Sequence, residues 1–484
     1  MNSARVAAPR KQSGAVVPLG ILLGTIVVLA LAVVSGSGVR PLLGVTALIT
    51  AFLVGSRRLL AWRALLTGTI LMILFIPIRR YALPGNLPFQ LEPYRLLIAL
   101  VVVLWIGALL IDPRVRFIRS NVDGPMAAIF LVSVASIGAN YGRISDQHVV
   151  SDSIKQLTFL GSFLLIVLLI VGLVRRREDV NRLLSVLVAG GAAVALSSVI
   201  ELYTHYNVFN HAQTVLPFLH ETKAPVEAVR AGHIRVLASS QHPIALGAMF
   251  AMLVPIAVYL IRETGRRIWA LAILLCVLGA LATASRTAVV MLVVIAIVYL
   301  CLRPRQTVRV WPALVPMLLL VHVAMPGVVG GFYKAFFPKG GLVAEQAGAP
   351  VGSSRIASLG PGLHQIGLRP LVGAGYGSRI LQDKANANSF IVDDQWLSTG
   401  MDTGILGVGV WAWLFIRFLR PTYRAARRDR GADGWLYAGI AASITAFAVG
   451  MFTFDAFSFI QTTFVLFFLL GLGSVALSLR TETV

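Results

Sequence analysis

The fold of this chain is constrained most strongly by one repeated pattern, in which long apolar runs alternate with short segments rich in arginine. A helix needs roughly 20 apolar residues to cross the hydrocarbon core of a bilayer, and about 17 is the practical minimum. By this criterion the sequence predicts fourteen spans, at residues 15–36, 41–55, 64–78, 96–111, 124–139, 157–174, 183–202, 243–261, 268–284, 287–302, 310–326, 403–419, 434–454 and 463–479. We therefore expect an all-α polytopic membrane protein.

The composition excludes the other broad classes of protein. Hydrophobic residues make up 57% of the 484 residues and charged residues 13%, whereas soluble domains contain about 25% charged residues. The formal net charge of +22 comes from small clusters between apolar runs, and not from one soluble basic face of the kind that binds nucleic acid. An ordinary soluble enzyme, a disordered protein and a nucleic-acid-binding protein are therefore excluded.

The basic residues also indicate how the chain is oriented in the membrane. The predicted topology places 25 Lys and Arg on the side of both termini and 16 on the other side, six of them in one long loop. Because cytoplasmic loops carry the Lys and Arg excess and long loops are discounted, both termini are predicted to be cytoplasmic. We expect a cytoplasmic tail over 1–14 and a single membrane domain over 15–484, with long outer loops at 203–242 and 327–402.

The predicted spans lack the features of an ion-coupled transporter. Ionisable residues inside a membrane are costly and usually functional, and here the acidic residues lie in loops or at helix ends, such as Glu201 and Asp455. A flippase for lipid-linked oligosaccharides, which needs no coupling ion, stays open. The only two cysteines, Cys276 and Cys301, lie inside apolar runs. We expect neither a disulfide nor a metal or other cofactor.

The outer hairpin near residue 285 is the first candidate site. Arg286 is the only charged residue between Arg267 and Arg303, and it follows a serine that is predicted to cap the next helix. A helix N-terminus presents free N–H groups and positive potential. This arrangement favours an anion site suited to a lipid diphosphate. The alternative is an interfacial arginine that reaches the lipid headgroups.

Further candidates lie in the two outer loops. Arg235 precedes a helix that is predicted to begin with the capping-type serines Ser239 and Ser240 and with Pro243, which again places an arginine near a helix N-terminus. Five of the eight histidines fall in or beside this loop, with spacings that match no metal-ligand motif. In the second loop, Arg355 and His364 precede a glycine-rich segment at 370–378. Those glycines are predicted to allow a tight turn or a close backbone approach.

The adjacent Asp393 and Asp394 are the only paired carboxylates in the outer loops. One of them is a candidate general base, if neighbouring arginines or apolar surroundings adjust its pKa. The alternative is a solvated turn that caps the helix carrying Trp396. His242, His364 and Trp396 are candidate contacts for an acceptor or for the loop itself.

In order and spacing these motifs resemble the O-antigen ligase and polymerase superfamily of bacterial membrane glycosyltransferases. The resemblance runs from about residue 230 to 420 and rests on four pieces, namely Arg235, the Ser285–Arg286 pair, Arg355 followed by Pro370 to Gly377, and Gly404 to Gly407. It implies a class C glycosyltransferase fold in the bacterial cytoplasmic membrane. It also implies transfer of a glycan from a polyprenyl diphosphate to a glycan or lipid-glycan acceptor on the outer face, without a nucleotide sugar or a required metal.

The resemblance also assigns roles to individual residues. It implies that Arg235 and Arg286 hold the donor diphosphate and that Arg355 organises the large loop, which suits the planar, permanently charged guanidinium. Ligases of this family have a His-Asn pair nine residues before an acidic residue. Here that acid corresponds to Asp402, and the position of the histidine is occupied by Asp393. This difference favours the polymerase or exopolysaccharide branch over ligation to lipid A.

Three functions therefore remain open from the sequence. A glycosyltransferase predicts outer arginines together with an outer base, and this sequence has both. A flippase predicts basic residues at mid-membrane depth, which the predicted spans lack. A non-catalytic scaffold of the cell envelope predicts that the outer residues can be replaced without effect.

Overall fold

The computed structural model describes residues 62–84, 92–111, 118–223, 229–230, 233–324, 330, 333, 336–338, 340–348, 354–378 and 392–481. The helices, numbered here in chain order, are α1 (Trp62–Phe75), α2 (Pro93–Ile111), α3 (Asp123–Ala139), α4 (Tyr141–Asp146), α5 (Val150–Leu173), α6 (Arg177–Thr204), α7 (Ala212–Val215), α8 (Pro243–Thr264), α9 (Ile268–Ala282), α10 (Arg286–Leu302), α11 (Pro304–Val310), α12 (Leu314–Ala324), α13 (Leu342–Gly348), α14 (Arg355–Leu368), α15 (Gln395–Arg428), α16 (Ala432–Gly450) and α17 (Ile460–Thr481). The protein is thus an all-α polytopic membrane protein.

Most of the predicted spans coincide with helices. Seven described helices are long and apolar enough to cross a bilayer, namely α2, α5, α6, α8, α15, α16 and α17. Four shorter apolar helices, α1, α3, α9 and α10, occupy further predicted spans. The predicted spans 15–36 and 41–55 lie outside the described residues.

Two predicted boundaries differ from the structure. The predicted span 310–326 is divided between α11, a 3-10 helix at Trp311–Ala313 and α12, because Pro312 has no N–H to donate within a continuous helix. The large outer loop ends earlier than residue 402, since α15 begins at Gln395. The span 403–419 was predicted to begin at residue 403. That position lies next to a kink inside α15, where Gly404 has φ 66° and ψ −165°.

Short strands tie the first outer loop to the bundle. Strand β1 (Tyr81–Ala82) pairs antiparallel with β2 (His220–Glu221), and β3 (Val229–Arg230) pairs with β4 (His233–Ile234). The Arg80 side chain adds a hydrogen bond of 2.5 Å from Nη1 to the Oδ1 of Asn210. The loop after α1 and the loop after α6 are therefore held together on one side of the bundle.

Helix α8 lies at the centre of the bundle. It packs against α6, α9, α10, α16 and α17, and most of its side chains are buried, including Phe250, Met252 and Leu253. Pro243 occupies its first turn, where no N–H is needed, and Gly265 ends it with φ 67°. The N-terminus of α8 and that of α10 therefore lie close to the same face, because Gly247 contacts the turn before α10.

Candidate functional site

The turn between α9 and α10 positions Arg286 as the first residue of a buried helix end. Ala284, in this turn, has φ 48°, which is an unfavourable backbone conformation for a residue with a Cβ. Ser285 occupies the N-cap position as predicted, but its side chain makes no capping hydrogen bond. The expectation that Ser285 caps α10 through its hydroxyl is therefore wrong. Its hydroxyl is instead buried with no hydrogen-bond partner among the described residues.

Arg286 is buried, with 9% of its surface exposed. Its Nη2 lies 3.7 Å from the Oε1 of Glu345 on α13, whose side chain is 48% exposed. Its Nε is buried and has no hydrogen-bond partner in the described part of the chain. Two adjacent buried donors, the Ser285 hydroxyl and the Arg286 Nε–H, are thus available to an anion, and leaving such donors unpaired costs free energy.

Arg235 supports the same turn from the other side. Its Nε donates a hydrogen bond of 2.8 Å to the carbonyl oxygen of Thr283, three residues before Arg286, and its side chain is buried. Gly247 of α8 packs against Thr283 and Ser285 so closely that a Cβ would overlap the Thr283 hydroxyl. The two arginines predicted to hold the donor diphosphate therefore belong to one connected structure.

Arg355 joins the large loop to this structure. Its Nε donates to the backbone carbonyl of Asp393 at 3.3 Å, and its Nη2 donates to the carbonyl of Thr453. The Thr453 carbonyl also accepts a hydrogen bond of 3.4 Å from the hydroxyl of Thr287, the residue after Arg286. Ser354 caps α14 by accepting from the N–H of Ala357. Arg355 is thus fixed where α14 begins, next to the N-terminus of α10.

The electrostatics of Arg355 agree with this placement. Burial lowers the pKa of its guanidinium, the Asp393 carboxylate opposes that shift, and the positive charge of Arg286 adds to it. Since charges must be near to act in this way, Arg286, Arg355 and Asp393 form one cluster. The structure therefore brings together three of the predicted site residues from three separate segments.

The two aspartates have different structural roles. Asp394 caps α15, since its Oδ1 accepts a hydrogen bond of 3.0 Å from the N–H of Leu397. Burial raises the pKa of Asp394, although the backbone N–H groups of Leu397 and Trp396 oppose this shift. The capping alternative is therefore confirmed for Asp394. Asp393, by contrast, accepts a hydrogen bond from the Arg355 guanidinium through its backbone carbonyl, and its negative charge opposes the lowering of the Arg355 pKa by burial.

The three predicted contact residues make other contacts in the structure. His242 caps α8, where its Nδ1 accepts from the N–H of Ile244 at 3.2 Å, and its ring stacks on Phe459 at 5.4 Å. The indole Nε1 of Trp396 donates to the carbonyl of Ala448 at 3.0 Å, which fixes α15 against α16. His364 is exposed on α14, about 13 Å along the helix from its N-terminus.

His242 is neutral at physiological pH. Burial lowers its pKa to about 4, and the nearby charge of Arg235 contributes to this shift. A neutral ring is what the cap requires, because the Nδ1 lone pair accepts the backbone hydrogen bond. The neutral ring of His242 therefore caps α8.

The glycine-rich segment packs directly on the kink of α15, which is a close backbone approach of the kind that its glycines predicted. The Ala374 N–H donates to the carbonyl of Met401 at 2.8 Å, and the Ile405 N–H donates to the carbonyl of Pro370 at 2.8 Å. Gly373 and Gly404 both have positive φ, and a Cβ on either would overlap backbone atoms of the facing segment. The close backbone approach explains why glycine occupies these two positions.

Glu345 and Thr453 were not identified from the sequence. Thr453 contributes a backbone carbonyl, which any residue type supplies, so no sequence signal marks it. Glu345 is an isolated acid within the large loop, and only the three-dimensional structure places it against Arg286. Among the described residues, no group of three or more His, Cys, Asp or Glu side chains is placed to hold a metal ion.

One segment of the chain matches a known protein family. Residues 271–412 match the family model described as O-antigen ligase. The resemblance to the O-antigen ligase and polymerase superfamily is thus confirmed for the segment that contains Arg286, Arg355 and Asp393. Arg235 and His242 lie before the O-antigen ligase segment. No curated protein matches the chain. With its apolar helices, the chain is a multi-pass membrane protein, and its segment 271–412 is similar to the O-antigen ligase family.

Proposed function

We propose that this protein is a glycosyltransferase of the bacterial cytoplasmic membrane that transfers or polymerises a polyprenyl-diphosphate-linked glycan on the outer face. The observation that supports this most directly is the buried N-terminus of α10, where the Ser285 hydroxyl and the Arg286 Nε–H lack partners among the described residues. A diphosphate oxygen would accept hydrogen bonds from both. The apolar surface of the surrounding helices would accommodate the polyprenyl chain.

In the proposed reaction, an acceptor hydroxyl oxygen attacks the anomeric carbon of the donor. The bond between that carbon and the phosphate oxygen breaks, and the polyprenyl diphosphate leaves with the electron pair. Arg286, supported by Arg235, would stabilise the negative charge that develops on the leaving group. The acceptor proton would pass to a carboxylate.

We assign that carboxylate to Asp393. The Asp394 carboxylate already accepts the capping hydrogen bond of α15, whereas Asp393 adjoins Arg355 within the arginine cluster. A carboxylate at this position, instead of the family's histidine, supports the polymerase or exopolysaccharide branch. We further propose fourteen spans with both termini cytoplasmic, and the class C glycosyltransferase fold.

A surface-glycan gel tests the function. It would compare the wild type with a strain lacking the protein and with strains carrying Arg286→Ala or, as a matched control, Arg424→Ala, which changes an exposed residue near the end of α15. Short or single-repeat glycans in the first two altered strains would support a polymerase, and full-length polymer left on its lipid carrier would support a ligase. A wild-type profile with Arg286→Ala would contradict the proposed glycosyltransferase.

A further inference from the structure

Helix α14 of the large loop exposes a row of large apolar side chains. Ile356, Leu359 and Leu363 recur at spacings of three and four residues, which places them along one face of a helix. Leu359 is 46% exposed and Leu363 is 55% exposed. An adjacent face is packed on α15, where a Cβ on Gly362 would overlap the side chain of Leu397. The helix is therefore buried along one face and apolar along an exposed neighbouring face.

Both ends of α14 are tied to the ends of other helices. At its start, the Arg355 guanidinium donates a hydrogen bond to the carbonyl of Thr453, in the connection between α16 and α17. At its end, Arg369 is the C-cap residue, and its guanidinium donates to the side-chain oxygen of Asn140, the C-cap residue of α3. The position of α14 on the bundle is thus fixed at two points.

These two points lie on the same side of the bundle. The N–H of Gln395 donates to the carbonyl of Met451, at the end of α16, at 2.7 Å. The hydroxyl of Ser136, near the end of α3, donates to the carbonyl of Asp402 at 2.7 Å. Both contacts fall in the first part of α15, before its kink at Gly404. Helix α14, which is about 21 Å long and too short to span a bilayer, therefore lies across this side of the bundle.

The exposed apolar surface continues from α14 onto the outside of α15. Leu371 follows the end of α14, and its carbonyl accepts the N–H of Leu406 at 3.4 Å. Leu371, Ile405 and Leu406 are all exposed. Further along α15, which is apolar enough to cross a membrane, Trp413 and Ile416 are also exposed. Large exposed apolar surfaces mark interaction sites, and on a spanning helix the partner is lipid.

The polar residues of α14 suit a lipid surface. Its sequence contains no Asp or Glu, so anionic headgroups would not be repelled. His364 is exposed and lies about 100° around the helix from Leu363. Helices that lie in the membrane interface combine an apolar face with a polar face in this way. The continuity with the outside of α15 favours the bilayer over a second protein as the partner of this surface.

We propose that α14 is an interfacial helix, with Ile356, Leu359 and Leu363 inserted into the headgroup region of the bilayer and with its buried face packed on α15. The proposal does not depend on the proposed function. Since Arg355 is the first residue of α14, the inserted helix would hold the arginine cluster at the level of the lipid phosphates.

Spin labels test this proposal on the full-length protein in vesicles of phosphatidylethanolamine and phosphatidylglycerol. The labels are attached to Leu359→Cys and Leu363→Cys, in a protein whose two native free cysteines are replaced by alanine. His364→Cys is the matched control on the same helix, and Ile416→Cys reports ordinary exposure to lipid. The measurement compares collisions of each label with oxygen, which concentrates in lipid, and with a water-soluble nickel chelate.

We expect the ratio of oxygen to nickel collisions at Leu359 and Leu363 to exceed that at His364 and to approach that at Ile416. Leu363→Asp should lower the ratio at Leu359, because a charge is costly in lipid, and His364→Asp should leave it unchanged. Ratios at Leu359 and Leu363 equal to that at His364 would overturn the proposal. So would low access of both reagents, which would indicate a protein partner such as a second copy. Thermal unfolding checks that each variant is folded, and labels at two exposed positions give two independent tests.

Discussion

The guanidinium Nε of Arg355 lies 3.3 Å from the backbone carbonyl oxygen of Asp393 and donates a hydrogen bond to it. The same guanidinium donates to the carbonyl of Thr453, so one side chain joins the start of α14 to the start of α15 and to the connection between α16 and α17. A backbone carbonyl is the same in every residue type, so the sequence does not reveal which carbonyls accept these hydrogen bonds. These contacts lie between the large loop and the helix bundle, and the role that the family resemblance implies for Arg355, organising the large loop, stays a prediction.

The first prediction concerns this bridging role. Replacing Arg355 by Ala leaves two partly buried carbonyls without their donor, which should cost about 1–3 kcal/mol of unfolding free energy and abolish glycan extension. Arg355→Lys should recover part of the stability and little of the activity, because an ammonium cannot reproduce the planar fork. Thermal unfolding and the glycan gel measure the two effects. Arg424→Lys, on the exposed surface, is the control and should change neither.

The sequence predicted much of the helical arrangement because the apolar runs alone determine it. Eleven of the fourteen predicted spans coincide with described helices. The span at 310–326 is occupied by α12 over only Leu314–Ala324, because Pro312 interrupts the helical hydrogen bonding before it. The structure of the site was harder to predict. Residue types indicated Arg286, Arg355, the glycines and, as one of two alternatives, the Asp394 cap, but the capping role of His242 depends on where α8 begins, which sequence patterns locate only to within a few residues.

The second prediction separates the two aspartates. Asp393→Asn should reduce transfer by about 10²–10⁴-fold, the usual contribution of a general base, with little change in stability. Asp394→Asn should stay active, because asparagine is as good an N-cap as aspartate. Asp394→Ala should lose about 1 kcal/mol of unfolding free energy. Transfer assays with the purified protein distinguish the variants, and an inactive Asp394→Asn beside an active Asp393→Asn would reverse the assignment.

The third prediction follows from the pKa of His242, which burial lowers to about 4. The unfolded chain, with a histidine pKa of about 6.5, binds this proton more readily than the folded protein does. The stabilising effect of a neutral His242 is therefore complete above about pH 6.5 and is lost as the pH falls toward 4, by roughly 3 kcal/mol at most. Thermal unfolding between pH 7 and pH 4.5 should show this decline. His242→Asn keeps a capping side chain without a titrating group, and an equally steep decline in that variant would contradict the prediction.

The fourth prediction tests the contact between the glycine-rich segment and α15. Gly373→Ala and Gly404→Ala each place a Cβ at positive φ and against facing backbone atoms. Each should lower the unfolding free energy by more than about 1 kcal/mol and reduce glycan extension. Gly409→Ala, in the same helix as Gly404 and with open space around it, should be neutral or slightly stabilising. Equal effects at Gly404 and Gly409 would indicate that the kink does not depend on glycine.

The fifth prediction concerns Glu345, whose carboxylate lies 3.7 Å from the Nη2 of Arg286. A diphosphate would bind the same guanidinium, so Glu345 and the donor compete for it in the proposed function. Because Glu345 is half exposed, its ion pair contributes at most about 1 kcal/mol. Glu345→Gln should therefore lower the KM for the lipid-linked donor by about two- to fivefold and leave kcat unchanged. Steady-state transfer assays at several salt concentrations measure this effect, and the difference between the variant and the wild type should shrink as salt screens the pair.

Arg286→Ala should remove the difference altogether, since without the guanidinium Glu345 has nothing to compete for. A higher KM in Glu345→Gln would mean that this carboxylate helps to position the arginine for the donor.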